Sequence, residues 1–506
     1  MSEAIPGMPP PPPVAVAATR PASVVVPYRK TPEGVEVFWV KREKALAFAG
    51  GFYAFPGGKV DKTDALVPVR GASGQDAALR VAAARELLEE AGVLVAEGAW
   101  RLSPEEVREA RSALLEKRGT WSELLQRHGL VLRAEDFPDA GRWVTPEFAP
   151  VRFDTFFYLV EMPEHAQAEC WPGELSEAAW VKPADALARW EQGTALLHPP
   201  ALHVLRVMAD FDTPERALAR LREPPDCPDF IARRIEFHQG VRVFPLLTAT
   251  LPPATHTNAY VLGNGELLIV DPGADDEAEV DRLLGMVDAL VAEGHRVQAV
   301  VLTHHHGDHV GGVRRVTERL KVPLWCHART ADRVEVPAAR LLEDGEVLEL
   351  AGSPPQRWRV LYTPGHARGH LCLVDERTQA AVVGDMVASV GTIVIDPPEG
   401  DMAEYLRQLA RLRDWPVTTL HPSHGTAIPD GPGKLQEYLD HRAAREARIV
   451  EAVPADGATL AQVVERAYSD TPPFLHPVAE RSALAVLLKL LGERRVREEA
   501  GRYFRT

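Results

Sequence analysis

Residues 297–309 read Val-Gln-Ala-Val-Val-Leu-Thr-His-His-His-Gly-Asp-His. The first seven form an apolar, β-branched run with the signature of a buried strand. It leads without a break into His304, His305, His306, Gly307, Asp308 and His309. Imidazole nitrogens and a carboxylate suit a borderline divalent metal, and a tight turn at Gly307 lets alternate side chains converge. One such cluster cannot close two metal sites, so distant ligands are required. His366 in Thr363-Pro364-Gly365-His366, Asp385 in Val383-Gly384-Asp385 and His424 in Pro422-Ser423-His424-Gly425 stand in similar contexts.

Together these motifs, over roughly 240–440, resemble the metallo-β-lactamase superfamily. The resemblance implies an αββα sandwich with a dinuclear zinc centre. His304, His306 and His366 would hold one zinc, and Asp308, His309 and His424 the other, with Asp385 bridging. Asp308 is then the expected catalytic carboxylate, and Asp271 a support behind the ligands. His305, between two ligands, should point elsewhere. His370 fits a hydrogen-bonded core histidine better than a ligand, and His421 competes with His424. The implied chemistry is metal-assisted hydrolysis. Thr257-Asn258-Ala259-Tyr260-Val261, Gly369-His370 and a helical extension are similar to the lactamase-β-2-like branch, which includes endoribonucleases of single-stranded RNA. Glyoxalase-II-type thioesterases share most of these motifs, so RNA and thioester substrates both stay open.

Upstream, Arg85-Glu86-Leu87-Leu88-Glu89-Glu90-Ala91-Gly92-Val93 places three glutamates at i, i+3 and i+4 of a helix ending at Gly92. Carboxylates crowded on one face attract a hard cation such as Mg²⁺ or Mn²⁺. Arg85, four residues before Glu89, can steady its carboxylate. With Phe55-Pro56-Gly57-Gly58 ahead of it, this helix resembles the box of Nudix hydrolases, an α-β-α sandwich family that cleaves nucleoside-diphosphate-linked compounds. The box is interrupted. Asp64 lies at the spacing of the outer acid counted forward from Gly58, but Ala77 holds it counted back from Arg85. Arg142–Pro146, Arg152–Phe157 and Ala179–Pro183 are similar to the branch related to peroxisomal coenzyme A diphosphatases, over about 22–210. Glu86, Glu89 and Glu90 are the expected metal ligands, Glu89 and Glu90 the catalytic pair, and Glu174 a candidate downstream acid. The broken box leaves a second reading open, a non-catalytic nucleotide or coenzyme A sensor.

The 506 residues allow two to four domains. The expected architecture is α/β: a proline-rich tail over 1–21, a Nudix-like domain over 22–221, a linker over 222–239, a metallo-β-lactamase domain over 240–440, and a helical or winged-helix extension over 441–506. Residues 104–127 read as further helix. A net charge of −15 disfavours a broad nucleic-acid coat. Locally, however, residues 481–506 carry seven Arg or Lys against three Glu, including Arg494, Arg495, Arg497, Arg502 and Arg505. Cys170, Cys227, Cys326 and Cys372 form no C-x-x-C pair, which points to a reducing, cytoplasmic setting. No membrane span and no signal peptide are expected. The partners expected are a small diphosphate or coenzyme A-type molecule for the first domain, and a thioester or single-stranded RNA for the second.

Overall fold

A computed structural model of the chain describes residues 16–44, 46, 49–147, 149, 151–163, 166–170, 173–211, 213–223, 235–251, 254–472 and 475–506. The proline run 9–13, most of the linker and Cys227 lie outside them. The chain divides into two compact units, one built mainly on residues 15–228 and the other on 240–506.

In the first unit the sheet is ordered Tyr53–Ala54, Gly34–Arg42, Thr19–Thr31, Arg152–Glu161, Asp139–Val144. Thr19–Thr31 and Arg152–Glu161 run parallel, and Leu175–Val181 joins Gly34–Arg42 antiparallel. The strand that begins at Thr19 thus starts inside the stretch read as tail. Alternate side chains serve opposite faces. Val25, Phe38 and Val40 pack with Leu87 and Leu88 of the helix Gly74–Ala91. Val26, Val37 and Trp39 pack with Trp190, Leu202 and Leu205 of the helices Pro183–Glu191 and Pro199–Asp210. A sheet buried on both faces in this way is the expected α-β-α sandwich.

Residues 104–127 are two helices and not one, Pro104–Leu115 and Trp121–His128. Lys117 takes a left-handed φ of 57° between them. Each helix opens with its own capping box, Ser103 with Glu106 and Thr120 with Glu123.

Two large sheets make the sandwich of the second unit. One runs Val241–Leu247, His256–Leu262, Glu266–Val270, Arg296–Val301, Leu324–Cys326, Ala338–Leu341. The other runs Val347–Leu350, Gln356–Tyr362, Leu371–Asp375, Ala381–Gly384, Leu420–Pro422. The helix Glu277–Ala292 covers the first through Val280, Leu283 and Val287. The helix Met402–Asp414 covers the second through Tyr405, Leu409 and Leu412. The result is the αββα sandwich.

The helix Gly431–Ala452 runs unbroken through residue 440, where a domain boundary was expected. Its Leu435, Tyr438 and Ile449 share one core with the second sheet and with Val463, Val464 and Leu487 beyond. The terminal segment is a winged helix. Helices Leu460–Ala467 and His476–Gly492 precede the antiparallel pair Val496–Glu499 and Arg502–Arg505, and Ala458–Thr459 adds a third strand.

Candidate metal centres

The expected ligands of the second unit lie beyond the C-terminal ends of strands, Asp308 and His309 in the short helix Gly307–Val310. His304 follows Arg296–Val301, His366 lies in the turn after Gln356–Tyr362, Asp385 follows Ala381–Gly384, and His424 follows Leu420–Pro422. Backbone bonds lace the two sheets together here. Leu371 N–H donates to the Thr303 carbonyl at 2.8 Å, and Asn258 N–H to the Ser423 carbonyl at 2.7 Å. Asn258 Nδ2 and the Tyr260 hydroxyl both donate to the Pro422 carbonyl, at 2.9 and 2.6 Å, fixing the loop that carries His424.

Among the described residues, three groups of donor atoms gather within 4.8 Å: His304, His306 and His366; Asp308, His309 and His424; and Asp271, His304 and His309. The first two are the triads expected from sequence. His306 Nδ1 lies 3.0 Å from His304 Nε2 and 2.9 Å from His366 Nε2. Asp385 spans both triads. Its Oδ2 is 3.5 Å from His366 Nε2, and its Oδ1 is 3.6 Å from His309 Nε2 and 3.4 Å from His424 Nε2.

The remaining ring nitrogens are held from behind. His366 Nδ1 faces the Val394 carbonyl at 2.9 Å, and His424 Nδ1 faces the His256 carbonyl at 3.1 Å. His309 Nδ1 meets Asp271 Oδ2 at 2.9 Å, and His304 Nδ1 meets Thr303 Oγ1 at 3.0 Å. Thr303 in turn donates its backbone N–H and its hydroxyl to the Asp271 carboxylate. With Nδ1 of these four rings held in this way, their Nε2 atoms are the ones turned inward, whereas His306 turns its Nδ1 inward. Asp271 is saturated by these bonds, so the third group is a support and not a ligand set. Its φ of 49° turns the chain at the end of its strand.

His370 donates and accepts within the core. Its Nε2 takes the Asp385 N–H at 3.0 Å, and its Nδ1 pairs with Thr363 Oγ1 at 2.8 Å. His305 turns away from the triads, its Nε2 3.9 Å from Glu399. His421 packs edge-on to Tyr260 and joins no donor group. Thr303, and the backbone carbonyls of Val394 and His256, were not legible as site components, because nothing in residue type marks a carbonyl that will face an imidazole.

The chemistry of this donor set fits two divalent ions. His309 Nε2 and Asp385 Oδ1 are buried and have no hydrogen-bond partner, an arrangement that is costly without a cation. The triads differ electrostatically. Burial first, then neighbouring histidines, holds His304 well below the usual imidazole range, and burial also takes His366 down to about 4. Burial opposes charge on His309 too, but Asp308, Asp385 and Asp271 outweigh it and raise the ring to about 10.

In the first unit Arg85 organises the glutamate helix. Its Nε and Nη2 each lie 3.1 Å from an oxygen of the buried Asp64, and its Nη1 lies 2.7 Å from Glu86 and 3.4 Å from Glu89. Asp64 therefore stands against the box arginine despite the long insertion between them, while Ala77 is buried in the helix face. Gly57 N–H donates to Glu90 Oε2 at 3.0 Å. A Cβ on Gly58 would sit 2.3–2.8 Å from the Glu86 carboxylate, so only glycine leaves that cradle open. Burial raises Glu86 to about 7 and Glu90 to about 8, the state of carboxylates short of positive charge. Among the described residues the three glutamates do not gather as tightly as the histidine triads. Glu174 is exposed and acts on Glu90 only electrostatically. Arg111 closes the C-terminal end of the helix through the Leu88 and Glu89 carbonyls, a role that its position in the sequence did not signal.

The chain is similar to three described families. The Metallo-beta-lactamase superfamily matches residues 252–424, the NUDT19 Nudix domain residues 68–208, and the Beta-lactamase associated winged helix domain residues 459–503. Beta-lactamase-like protein 2 homolog of Caenorhabditis elegans is 30% identical over 240 residues, covering 46% of this chain and 78% of its own. Atrochrysone carboxyl ACP thioesterase of Aspergillus chevalieri is 31% identical over 253 residues, covering 47% and 77%. A solved beta-lactamase domain protein from Burkholderia ambifaria is 24% identical with a TM-score of 0.48, covering 54% of this chain and 93% of its own.

Proposed function

The chain belongs to the metallo-β-lactamase superfamily and carries a Nudix domain ahead of that fold; from this premise we propose a bifunctional hydrolase that cleaves thioesters in its second unit and a coenzyme A-type diphosphate in its first. The observation that carries the hydrolytic reading is the pair of inward-facing triads joined by Asp385, with two buried ligand atoms that have no hydrogen-bond partner. His304, His306 and His366 would hold one zinc, Asp308, His309 and His424 a second, and Asp385 both. Glu86, Glu89 and Glu90 would hold Mg²⁺ or Mn²⁺. Bound ions would supply Lewis acidity and an activated water.

The residues of the chain do the rest. Asp308 is positioned by the Thr257 hydroxyl, which donates to its Oδ2 at 3.1 Å, and we assign it to accept the proton of the attacking water. Asp271, Thr303 and the Val394 carbonyl hold the imidazoles correctly turned. In the first unit Glu89 and Glu90 take the corresponding proton-accepting and ligating roles, with Arg85 and Asp64 fixing the helix face.

Two observations favour a thioester over RNA. Two fungal relatives are named Atrochrysone carboxyl ACP thioesterase. The basic end of the chain is also partly paired. Arg495 and Lys489 share Glu446 and Glu493, Arg497 pairs with Glu499, and Arg481 with Asp396. Each arginine that is paired in this way contributes less counterion release to a phosphate backbone than a free one.

The test is an activity panel of thioester, RNA and diphosphate substrates, combined with elemental analysis. Wild type should hold two zinc ions per second unit and turn over thioester. Asp385→Ala should lose the paired occupancy and lower thioester hydrolysis by about 100-fold or more. RNA cleavage that falls steeply with salt and depends on Arg494, Arg495 and Arg497 would reverse the substrate assignment.

A further inference from the structure

On the rim of the second unit's triads stands a group of cations with no part in the chemistry above. Arg368 lies two residues beyond His366. Its N–H donates to Glu399 Oε1 at 3.1 Å, its guanidinium donates to the Pro398 carbonyl at 2.8 Å, and its Nε is 3.9 Å from Glu399 Oε2. Arg333 Nη2 reaches the same carboxylate at 3.3 Å. His305, flanked by the ligands His304 and His306, presents Nε2 to it at 3.9 Å. A single carboxylate therefore faces two guanidiniums and an imidazole.

The arrangement has a fixed base. Thr330 Oγ1 donates to the Gly369 carbonyl at 3.0 Å. A Cβ at Gly369 would lie 2.3 Å from that hydroxyl and 2.6 Å from Thr330 N, so the segment leading to Arg333 is seated directly on the turn that carries His366. The exposure of the three groups is ordered. The side chains of Arg333 and Arg368 are 56% and 54% accessible, while that of Glu399 is 21% accessible. The carboxylate lies beneath and the guanidiniums face out, next to the metal ligands. Two guanidiniums against one carboxylate leave a positive charge uncompensated within this group. Paired planar guanidiniums match phosphate oxygens in geometry as well as charge.

We propose that Arg333 and Arg368 form a subsite for a phosphate group carried by a small-molecule thioester, bound away from the scissile bond. The identity of the substrate rests on the thioester reading; binding of the anion does not. The experiment uses the full chain loaded with zinc. Calorimetry with inorganic pyrophosphate should show binding that weakens roughly 10-fold to 100-fold in Arg333→Gln and in Arg368→Gln, the size expected for loss of a charge-assisted hydrogen bond. In parallel, KM for a phosphate-bearing acyl thioester should rise by a similar factor, with little change in kcat. KM for an uncharged thioester of the same acyl group should not follow. Arg333 lies outside the ligand turn, so its variant separates substrate binding from any disturbance of His366.

Equal effects on both thioesters would make the arginines mere fasteners of Glu399 and overturn the proposal. Pyrophosphate that fails to bind wild type would also overturn it, as would competition by an oligonucleotide but not by pyrophosphate. If no thioester is turned over while pyrophosphate binding still depends on both arginines, the subsite stands and the thioester reading falls.

Discussion

Glu90 is where burial and charge conflict most sharply in the first unit. Burial raises its carboxyl to about 8, with Glu86 and Glu174 adding to the shift while Arg42 and the Gly57 N–H oppose it. Glu86 moves to about 7 for the same leading reason. Both folded values lie above the unfolded carboxyl range, near 4.3, so the folded state binds the extra protons. Their contribution to stability is complete below that range and is lost as pH rises through about 8. In protein stripped of divalent ions, the thermal midpoint of the first unit should therefore fall between about pH 5.5 and pH 8.5. Glu90→Gln should flatten that fall and raise the midpoint at the alkaline end, and Mg²⁺ should do the same for wild type. Identical pH slopes in variant and wild type, read by calorimetry, would make the helix an ordinary solvated face. The i, i+3, i+4 spacing of these glutamates was legible in the sequence because a helix has a fixed period. The partnership of Asp64 with Arg85 was not, because a 20-residue separation carries no geometric rule, and only the fold closes it.

At the scale of elements, legibility followed the strength of the local signal. The strand entering His304 and the glutamate helix ending at Gly92 both stand close to where pattern placed them. The division of 104–127 into two helices had a signal, Thr120-x-x-Glu123, which the run of helix-forming residues masked. The helix Gly431–Ala452 had no internal stop, and residue 440 is merely where the metal motifs ran out. Because its two halves serve one core, ending the chain at 440 should not leave a folded second unit. The truncation removes Ile449 and Leu487 from that core, together with the helix His476–Gly492 that packs on Met402–Asp414. Each large apolar side chain returned to water costs about 1.5–3 kcal/mol, and a domain holds only about 5–15 kcal/mol in total. The truncated chain should aggregate or lose its cooperative transition by circular dichroism, with zinc content falling accordingly. A monomeric truncation that unfolds cooperatively and binds two zinc ions would show that the shared core is dispensable.

At the scale of the whole molecule, composition bounded the answer without choosing it. A charge of −15 argued against a nucleic-acid coat, but the count of arginines near the C-terminus argued the other way. The count could not show that Glu446, Glu493, Glu499 and Asp396, some of them distant in sequence, would meet those arginines. The two sets of metal donors were legible, and they differ in chemical softness. The first unit offers carboxylates alone, which suit Mg²⁺ or Mn²⁺. The second offers five imidazoles and two carboxylates around its triads and Asp385, which suit zinc. That difference makes the two proposed activities separable within one intact chain. A zinc-selective chelator, at a concentration that leaves Mg²⁺ in excess, should abolish thioester hydrolysis while diphosphate hydrolysis continues. Asp385→Asn should reproduce the first effect without the chelator, and Glu90→Gln should do the converse, lowering diphosphate turnover by about 100-fold or more while thioester turnover persists. Each variant leaves the other donor set intact, so the two losses should add independently in the double variant. Paired loss of both activities on zinc removal, with the fold retained by circular dichroism, would place both reactions at a single centre and refute the division of labour.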